Sequence, residues 1–496
     1  MDDHPENKLP IIYVRGFAGG QGAIDSAVDS PLYGFNDGAV HVRVGANGTP
    51  RFYQYEGPIL RLIQEEGYVL NIQGDQRKLL DEAQPNNLAP ASIWVYRFYD
   101  TFASTLGAPG TANDYELADA AQKLAAFIEL VREKTVGHPK VYLVSHSMGG
   151  LICRTALQVS MTKPLDSVSK LCTIGTPHGG IDPTLGGPLG GWVIDKFGPM
   201  GSRIFSPNYM REYMYPVDRG PENDDTRRMV GDFGPDRVLS IVGTNARDYD
   251  VAGGLSALAM GVQSDGLVAI KNAYVVGSAR SYVHRSHSGR YGLVNSEEAY
   301  QNLKRFLFGT LRVEVGIEGL VFEDNRVWQA EVRLAIRQLP VLIHEQTADH
   351  YCPVDLNAEA KKVATSMAPL PLITTFLIPN PENRARYALD LKLISLEESN
   401  GFFGLGDHLE QIGDWQDSLI VDVQLNDDGA LTDVDWDWNS NLRSRPGSAE
   451  LTNPLPWREG AQTEGGWNVS VSLPEVAQKL LGTEARLTLR VGMWSA

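Results

Sequence analysis

The chain has 496 residues, a length that predicts two domains because one α/β domain can take up about 300 residues. Its 44 basic and 61 acidic residues give a net charge of −17, which repels polyphosphate and excludes nucleic-acid binding as a function class. A hydrophobic content of 43% and a charged content of 21% predict a folded chain with a full-sized core.

The sequence carries no segment that predicts export or membrane insertion. Residues 1–8 hold four charged side chains and no apolar run, so no secretory signal is expected. The longest uncharged stretch, residues 363–381, is interrupted by three prolines and falls short of the roughly 20 apolar residues of a membrane-spanning helix. The scattered cysteines Cys153, Cys172 and Cys352 favour reduced, buried thiols, so the cytoplasm is the expected location.

The first part of the chain, from Leu9 to about Gly309, alternates short apolar runs with helix-length amphipathic segments. This rhythm is typical of a doubly wound, mostly parallel sheet that helices cover on both faces. The predicted strands are largely apolar and span residues 11–14, 93–97, 140–144, 170–174 and 237–242. A helix is predicted over residues 117–131, after a possible capping box from Asn113 to Glu116.

Two long segments interrupt this rhythm, residues 21–51 and residues 179–235. The second is rich in glycine, proline and aromatic residues. Long irregular insertions in a compact domain commonly cover a binding site. We therefore predict a lid over residues 179–235.

Past Gly309 the apolar period changes to two, and the turn sequence of residues 426–429 predicts a β-hairpin. The chain is therefore predicted to divide into a domain of residues 1–310 and an all-β, sandwich-like domain of residues 311–496. Alternating Asp433, Asp435 and Asp437 predict the solvated face of a strand, with a calcium site as the alternative.

The segment with the clearest chemistry is residues 141–150, where an apolar strand enters a turn of small residues and a helix follows. A nucleophile elbow has this form, because its sharp turn tolerates only small residues two positions before and after the serine. Ser145 and Gly149 satisfy that requirement around Ser147. Ser147 is therefore the predicted nucleophile.

The segment Ser145-His146-Ser147-Met148-Gly149-Gly150 resembles the elbow of the lipase and esterase branch of the α/β-hydrolase superfamily. Three more segments resemble that branch, in its order along the chain: residues 10–20, 173–180 and 264–268. The likeness covers residues 10–308 and departs from the family at Ser145, where glycine is commoner, and at Arg15, where histidine is usual. It implies that the backbone N–H groups of Phe17 and Met148 form an oxyanion hole.

A serine nucleophile needs a histidine base and an acid that orients it, and in this fold they follow the serine in the order acid, then histidine. The resemblance favours Asp265 as the acid, with Asp248 and Asp250 as the competing pair. Of His284 and His287, the latter matches the family position before the final helix. His146 and His178 are interpreted as structural residues.

The sequence thus predicts a serine hydrolase that cleaves carboxylic esters through an acyl-enzyme. Its expected substrates are small-molecule or lipid esters, with lipid-like or medium-chain acyl groups. The alternatives are an acyltransferase with the same triad and a non-catalytic binding or scaffold protein on a hydrolase fold. No cofactor is predicted. No metal site is predicted either, because His344, His350 and Cys352 lack a fourth ligand at suitable spacing. The sequence makes no prediction of oligomeric state.

Overall fold

The computed structural model describes residues 8–16, 42–44, 50–52, 57–71, 76–96, 117–181, 204–215, 225–247, 263–288, 292–322, 326–357, 368–398, 409–443, 462–463 and 466–494. These residues divide into two compact units. The first takes those up to residue 300 except 280–283, and the second takes residues 280–283 and those from 301 onward.

Strands β1 to β9 run in chain order as Ile11–Val14, Val42–Val44, Pro50–Phe52, Val69–Leu70, Ser92–Tyr96, Val141–His146, Val168–Ile174, Val238–Gly243 and Ala279–Val283. Strands β2 and β3 form a separate antiparallel pair. The other seven form one sheet in the order β4-β5-β1-β6-β7-β8-β9, and the pairings from β4 to β8 are parallel. This is the doubly wound α/β sheet that the sequence predicts.

Helices α1 to α7 span Gly57–Glu66, Gln76–Glu82, Leu117–Lys134, Met148–Thr155, Pro164–Ser167, Pro207–Met214 and Glu297–Phe308. A π-helical turn, Ala156–Ser160, extends α4, and short 3₁₀ helices span Pro235–Arg237, Ile270–Asn272 and Leu293–Asn295. Helix α3 forms where the apolar period predicts it and buries that apolar stripe. Asp119 in its first turn and Arg132 and Lys134 in its last complement the helix dipole. The possible capping box at 113–116 lies outside the described residues.

Strands β1, β5, β7 and β8 are buried along their whole length, as expected of parallel strands covered on both faces. Strand β6 runs two residues beyond its predicted end. It does so because Ser145 and His146 stay in register with Thr173 and Ile174 of β7. Regular pairing therefore continues to the residue before Ser147.

Strands β10 to β20 build the second unit and span Leu311–Glu318, Val327–Ile336, Leu342–Gln346, Val354–Asp355, Leu370–Leu377, Arg384–Glu398, Leu409–Leu425, Leu431–Trp438, Gln462–Thr463, Gly466–Ser472 and Arg486–Met493. Two antiparallel sheets result, in the orders β14-β10-β20-β19-β18 and β12-β11-β15-β16-β17, with β13 paired to β11. Helices α8 (Asn439–Arg443) and α9 (Glu475–Leu481) complete the unit.

The inward faces of both sheets contribute to one apolar core, with Leu389 and Val421 from one sheet and Val313 and Leu489 from the other. Two sheets that share a core form a β-sandwich, which confirms the predicted fold class. The predicted hairpin joins β16 to β17. Its turn is closed by the N–H of Asn426, which donates to Ala430 (2.9 Å).

The aspartates of β16 and β17, at one edge of their sheet, take part in ion pairs and hydrogen bonds. Asp435 lies opposite Asp422, and Asp422 accepts from Arg386 (2.6 Å). Burial, followed by the charges of Asp433 and Asp422, raises the pKa of Asp435. Within the described ranges, no group of three or more His, Cys, Asp or Glu side chains is arranged to hold a metal ion. None of the helices described there has the length and apolarity required to cross a bilayer.

His344 gives the second unit a pH-dependent stability. It lies in β12 with only 2% of its surface exposed, edge-on to Tyr282 at 5.5 Å between ring centroids. Burial lowers the pKa of His344 to about 3, against about 6.5 in an unfolded chain. Below pH 6.5 the unfolded state therefore binds a proton that the folded state does not, and stability falls as the pH falls.

Between pH 8 and pH 5, we expect the free energy of unfolding to fall by about 2 kcal/mol less in His344→Phe than in the parent. One such group contributes up to about 1.4 kcal/mol per pH unit below 6.5. Urea unfolding followed by tryptophan fluorescence measures this difference. At pH 8 the histidine is neutral in both states, so the comparison there reports packing alone and is the internal control. An equal loss in variant and parent would contradict the prediction.

Candidate active site

The topology brings the predicted site residues to one edge of the parallel sheet. The chain leaves β1 towards β4 and β5 on one side and then returns to the other side of β1 as β6. Ligand sites in open α/β sheets form at the carboxyl ends of the strands beside such a switch point. Gly16 and Ser147 follow the carboxyl ends of β1 and β6, and His287 follows that of β9.

Ser147 occupies a strained backbone conformation between β6 and α4, with φ 53° and ψ −129°. Residues other than glycine rarely adopt a positive φ, and such strain persists only where the surroundings impose it. Here the N–H of Ser147 donates to Ile174 (2.9 Å) and its carbonyl accepts from Gly150 (3.1 Å). These bonds fix the elbow from both sides.

Three glycines allow the chain to approach the elbow. A Cβ atom on Gly16 would lie 2.8 Å from the Cβ of Ser147. A Cβ on Gly149 would collide with the carbonyl oxygen of Val14, and one on Gly150 would collide with the side chain of Thr176. Helix α4 therefore starts in direct contact with the end of β1, at a separation that only glycine permits.

Ser145 shows how the elbow accommodates a departure from glycine. Its side chain is fully buried, and its hydroxyl donates to the carbonyl of Cys172 in β7 (3.2 Å). The extra polar atom is thus paired, which removes the cost of burying it. The substitution leaves the turn geometry intact.

The predicted nucleophile, base and acid lie in one chain of hydrogen bonds. The Nε2 atom of His287 is 3.0 Å from the Oγ of Ser147, and its Nδ1 is 2.9 Å from the Oδ2 of Asp265. A carboxylate only accepts, so Nδ1 carries a proton and Nε2 presents a lone pair to the serine hydroxyl. Ser147, His287 and Asp265 are 9%, 3% and 0% exposed, so the bonds are shielded from bulk water.

Asp265 is fixed by the backbone around it. Its Oδ1 accepts from the N–H groups of Leu267 (3.0 Å) and Val268 (2.7 Å). Its carbonyl accepts from the N–H of His287 (2.8 Å). A Cβ on Gly243 would lie 2.7 Å from the Cβ of Asp265, so this strand end must also be glycine. Both oxygens of the carboxylate are therefore occupied, and Oδ2 points at His287.

His146 contacts His287, the predicted base. Its Nε2 lies 3.1 Å from the carbonyl oxygen of His287, and the two rings are 5.1 Å apart between centroids. Burial, followed by the proximity of His287, lowers the pKa of His146 to about 3. His146 is therefore neutral near pH 7.

His178 and Arg154 form a buried polar network behind the elbow. Arg154 projects from α4 with no exposed surface and donates to the carbonyls of Thr226 (2.9 Å) and Arg228 (2.7 Å). It also approaches Nδ1 of His178 (3.3 Å), whose Nε2 lies 3.0 Å from Thr173. An arginine only donates, so Nδ1 accepts and Nε2 carries the proton. Burial, followed by the Arg154 charge, lowers the pKa of His178 well below its usual range.

Sequence reasoning missed Arg154. The available signal was that Arg154 is the single charged residue of the largely apolar segment 151–159. A guanidinium buried in such a segment must find hydrogen-bond acceptors. One acceptor, the side chain of Gln158, lies four positions later, but the two backbone carbonyls come from residues more than 70 positions later, which no local pattern could identify.

The remaining predicted site residues are placed as follows. Met148 is the first residue of α4 and is buried, so its N–H belongs to the helix turn that lacks intrahelical partners. His284 lies 3.2 Å from the hydroxyl of Thr244 through its Nδ1. Phe17, Asp248 and Asp250 lie outside the described residues.

The described parts of the predicted lid segment pack against the helix that follows Ser147. Helix α6 buries Met210 and Met214 and contacts α4. The side chain of Gln158 donates to the carbonyl of Met214 (3.1 Å), and the Arg154 bonds hold residues 226 and 228. Residues 182–203 and 216–224 of that segment lie outside the described residues.

Residues 113–184 match the family model of the PGAP1-like alpha/beta domain. Among solved structures, the chain is similar to the product of the gene lin2722 from Listeria innocua, with 17% identity, a TM-score of 0.28 and coverage of 61% of this chain and 94% of that one. It is also similar to phospholipase PlaB from Legionella pneumophila, with 12% identity, a TM-score of 0.35 and coverage of 78% of this chain and 89% of that one. For esterase 2 of Thermogutta terrifontis the identity is 13% and the TM-score is 0.27, with coverage of 62% of this chain and 85% of that one. No curated protein matches at a significant level.

The family match covers β6, the elbow and β7, which are the elements that hold Ser147. The parallel sheet around them has its switch point beside that serine. The parallel sheet and the elbow are those of the α/β-hydrolase fold, and the family match over residues 113–184 supports the α/β-hydrolase superfamily.

Proposed function

We propose that the protein is a serine hydrolase that cleaves carboxylic esters through an acyl-enzyme. The observation that carries the proposal is the continuous hydrogen-bonded chain from Ser147 through His287 to Asp265. In this arrangement a neutral imidazole with its lone pair on the serine hydroxyl is a general base, and a buried carboxylate holds the tautomer.

In the proposed acylation, the Oγ of Ser147 attacks the ester carbonyl carbon while Nε2 of His287 takes the hydroxyl proton. The imidazolium that forms is stabilised by the Asp265 carboxylate. The tetrahedral intermediate then collapses: the bond to the alkoxy oxygen breaks, and His287 returns the proton to the leaving alcohol. A water molecule repeats these steps on the acyl-enzyme and releases the carboxylic acid.

The negative oxygen of the intermediate requires N–H donors that are already in place. We assign this role to the backbone N–H groups of Phe17 and Met148. The position of Met148 in the first turn of α4 supports the second donor, since helix N-termini stabilise negative charge. The close approach of Gly16 to Ser147 supports the first, because the next N–H along the chain is that of Phe17. Each donor contributes roughly 10² to 10³ in rate.

Substitution of Ser147 tests the nucleophile. Ser147→Ala is expected to lower kcat by about 10⁶-fold, because the attacking oxygen is lost. A fluorophosphonate probe followed by peptide mass spectrometry should find the adduct on Ser147 in the parent and none after heat denaturation. The matched control is Ser145→Ala, which removes a hydroxyl two residues away and should retain labelling.

Turnover of Ser147→Ala within tenfold of the parent would refute the assignment. Absence of any adduct on the folded parent would favour the alternative of a non-catalytic binding protein. Product analysis with an alcohol present separates a hydrolase from an acyltransferase, because both share the acyl-enzyme and differ only in the acceptor.

Substitution of the acid distinguishes Asp265 from its competitors. Asp265→Asn should lower kcat by about 10⁴-fold, since an amide favours the wrong imidazole tautomer. The double variant Asp248→Asn with Asp250→Asn is the matched control and should lose less than tenfold. Steady-state ester hydrolysis measures both, and the reverse ranking would overturn the choice of acid.

For the substrate we propose esters with lipid-like or medium-length acyl chains. The aromatic residues of the 179–235 segment, part of which packs against α4, support an apolar acyl site covered by that segment. Burial of each additional methylene contributes about 0.8 kcal/mol, so kcat/KM should rise from acetate to octanoate esters. A monotonic preference for acetate would contradict this substrate class.

A further inference from the structure

We infer that His146 is a positioning residue, which holds the main chain of His287 in the place where its ring reaches Ser147. The inference rests on the proposed function, because it concerns the geometry of the proposed base. The observation that supports the inference is the 3.1 Å contact between Nε2 of His146 and the carbonyl oxygen of His287.

The direction of this hydrogen bond follows from the chemistry of its two atoms. A carbonyl oxygen only accepts, so Nε2 of His146 carries the proton and donates. With the proton on Nε2, Nδ1 holds the lone pair. Because burial keeps the ring neutral, it adds no second positive charge beside the imidazolium that forms on His287.

The bond joins the loop that carries His287 to the strand that leads to Ser147. The loop that carries His287 is tied to the acid side, because the N–H of His287 donates to Asp265 (2.8 Å) and the carbonyl of Arg285 accepts from Asn245 (3.2 Å). His146 is the residue before the nucleophile and is fixed in β6 by its pairing to Ile174. The His146 bond therefore fixes the base loop against the nucleophile strand.

The other edge of the His146 ring faces the first strand. A Cβ atom on Gly16 would lie 3.2 Å from its Nδ1. The ring of His146 therefore lies between Gly16, which precedes the proposed oxyanion donor Phe17, and the carbonyl of His287, the proposed base. A glycine at position 16 leaves the room that this ring occupies.

The expected consequence is a loss of rate without a loss of binding. A displacement of about 1 Å of a catalytic group can cost about 10²-fold in rate. His146→Leu removes the donor at similar volume and should lower kcat by about 10²-fold, with KM for a small ester unchanged. His146→Gln keeps an N–H donor at the same chain length as Nε2 and should recover at least tenfold of that loss.

The experiment measures kcat per active site, with the sites counted by titration with a fluorophosphonate. Misfolding lowers the number of titrated sites, whereas misplacement of the base lowers the rate of each site. His284→Leu is the matched control, since it removes a second histidine near the base whose described contact is to Thr244, and it should keep kcat within threefold. His146→Ala replaces the leucine variant if the latter does not fold.

Two results would overturn the inference: a leucine variant whose kcat per site stays within threefold of the parent, or a glutamine variant as slow as the leucine variant with the same melting temperature. Failure of the proposed function is a separate outcome. It would show as a parent protein that neither binds the probe nor hydrolyses esters.

Discussion

The positive φ of Ser147 is the constraint on which the rest of the site depends. It turns the chain from a buried strand into a helix within one residue, so the serine stands at the carboxyl end of the sheet with the helix N-terminus beside it. The strain is held by contacts on all sides: Ile174 from β7, the end of β1 against Gly149, and Thr176 against Gly150. The elbow is therefore a product of the sheet around it.

The histidines near the elbow are largely buried and hydrogen-bonded, and their tautomers follow from that pairing. Three histidines lie close to the helix that starts at Met148, and each has a tautomer set by a partner that can only accept or only donate. His146 and His178 are kept neutral by burial. The Nε2 atom of His287 lies 3.0 Å from the hydroxyl oxygen of Ser147.

The second unit buries its apolar residues in a different way from the parallel sheet of the first. Its sheets are antiparallel, strands such as β20 alternate between a buried apolar face and a more exposed face, and the apolar core contains residues of both sheets. Buried Glu331 of β11 is compensated by Arg333 in the same strand and by Lys392 in the neighbouring strand β15. Burial in this unit also lowers the pKa of His344.

The sequence by itself determined what depends on local spacing. The apolar runs predicted five of the seven strands of the parallel sheet to within two residues, but not β4 or β9. The change of period at about residue 310 predicted an all-β region, and the small-residue turn singled out Ser147. These succeed because burial on one or both faces of an element leaves a period of its own in the chain. The roles of Ser147, His287 and Asp265 stay predictions, but their meeting at hydrogen-bond distance is observed.

Only the tertiary structure decided the contacts between residues far apart in the chain. Asp265 lies 22 positions from His287 and shares no pattern with it, yet a backbone turn at Leu267 and Val268 orients its carboxylate. The bond from His146 to His287 spans 141 positions, and those of Arg154 span 72 and 74. Hydrogen bonds of this kind depend on where strand ends meet, and periodicity carries no record of that meeting.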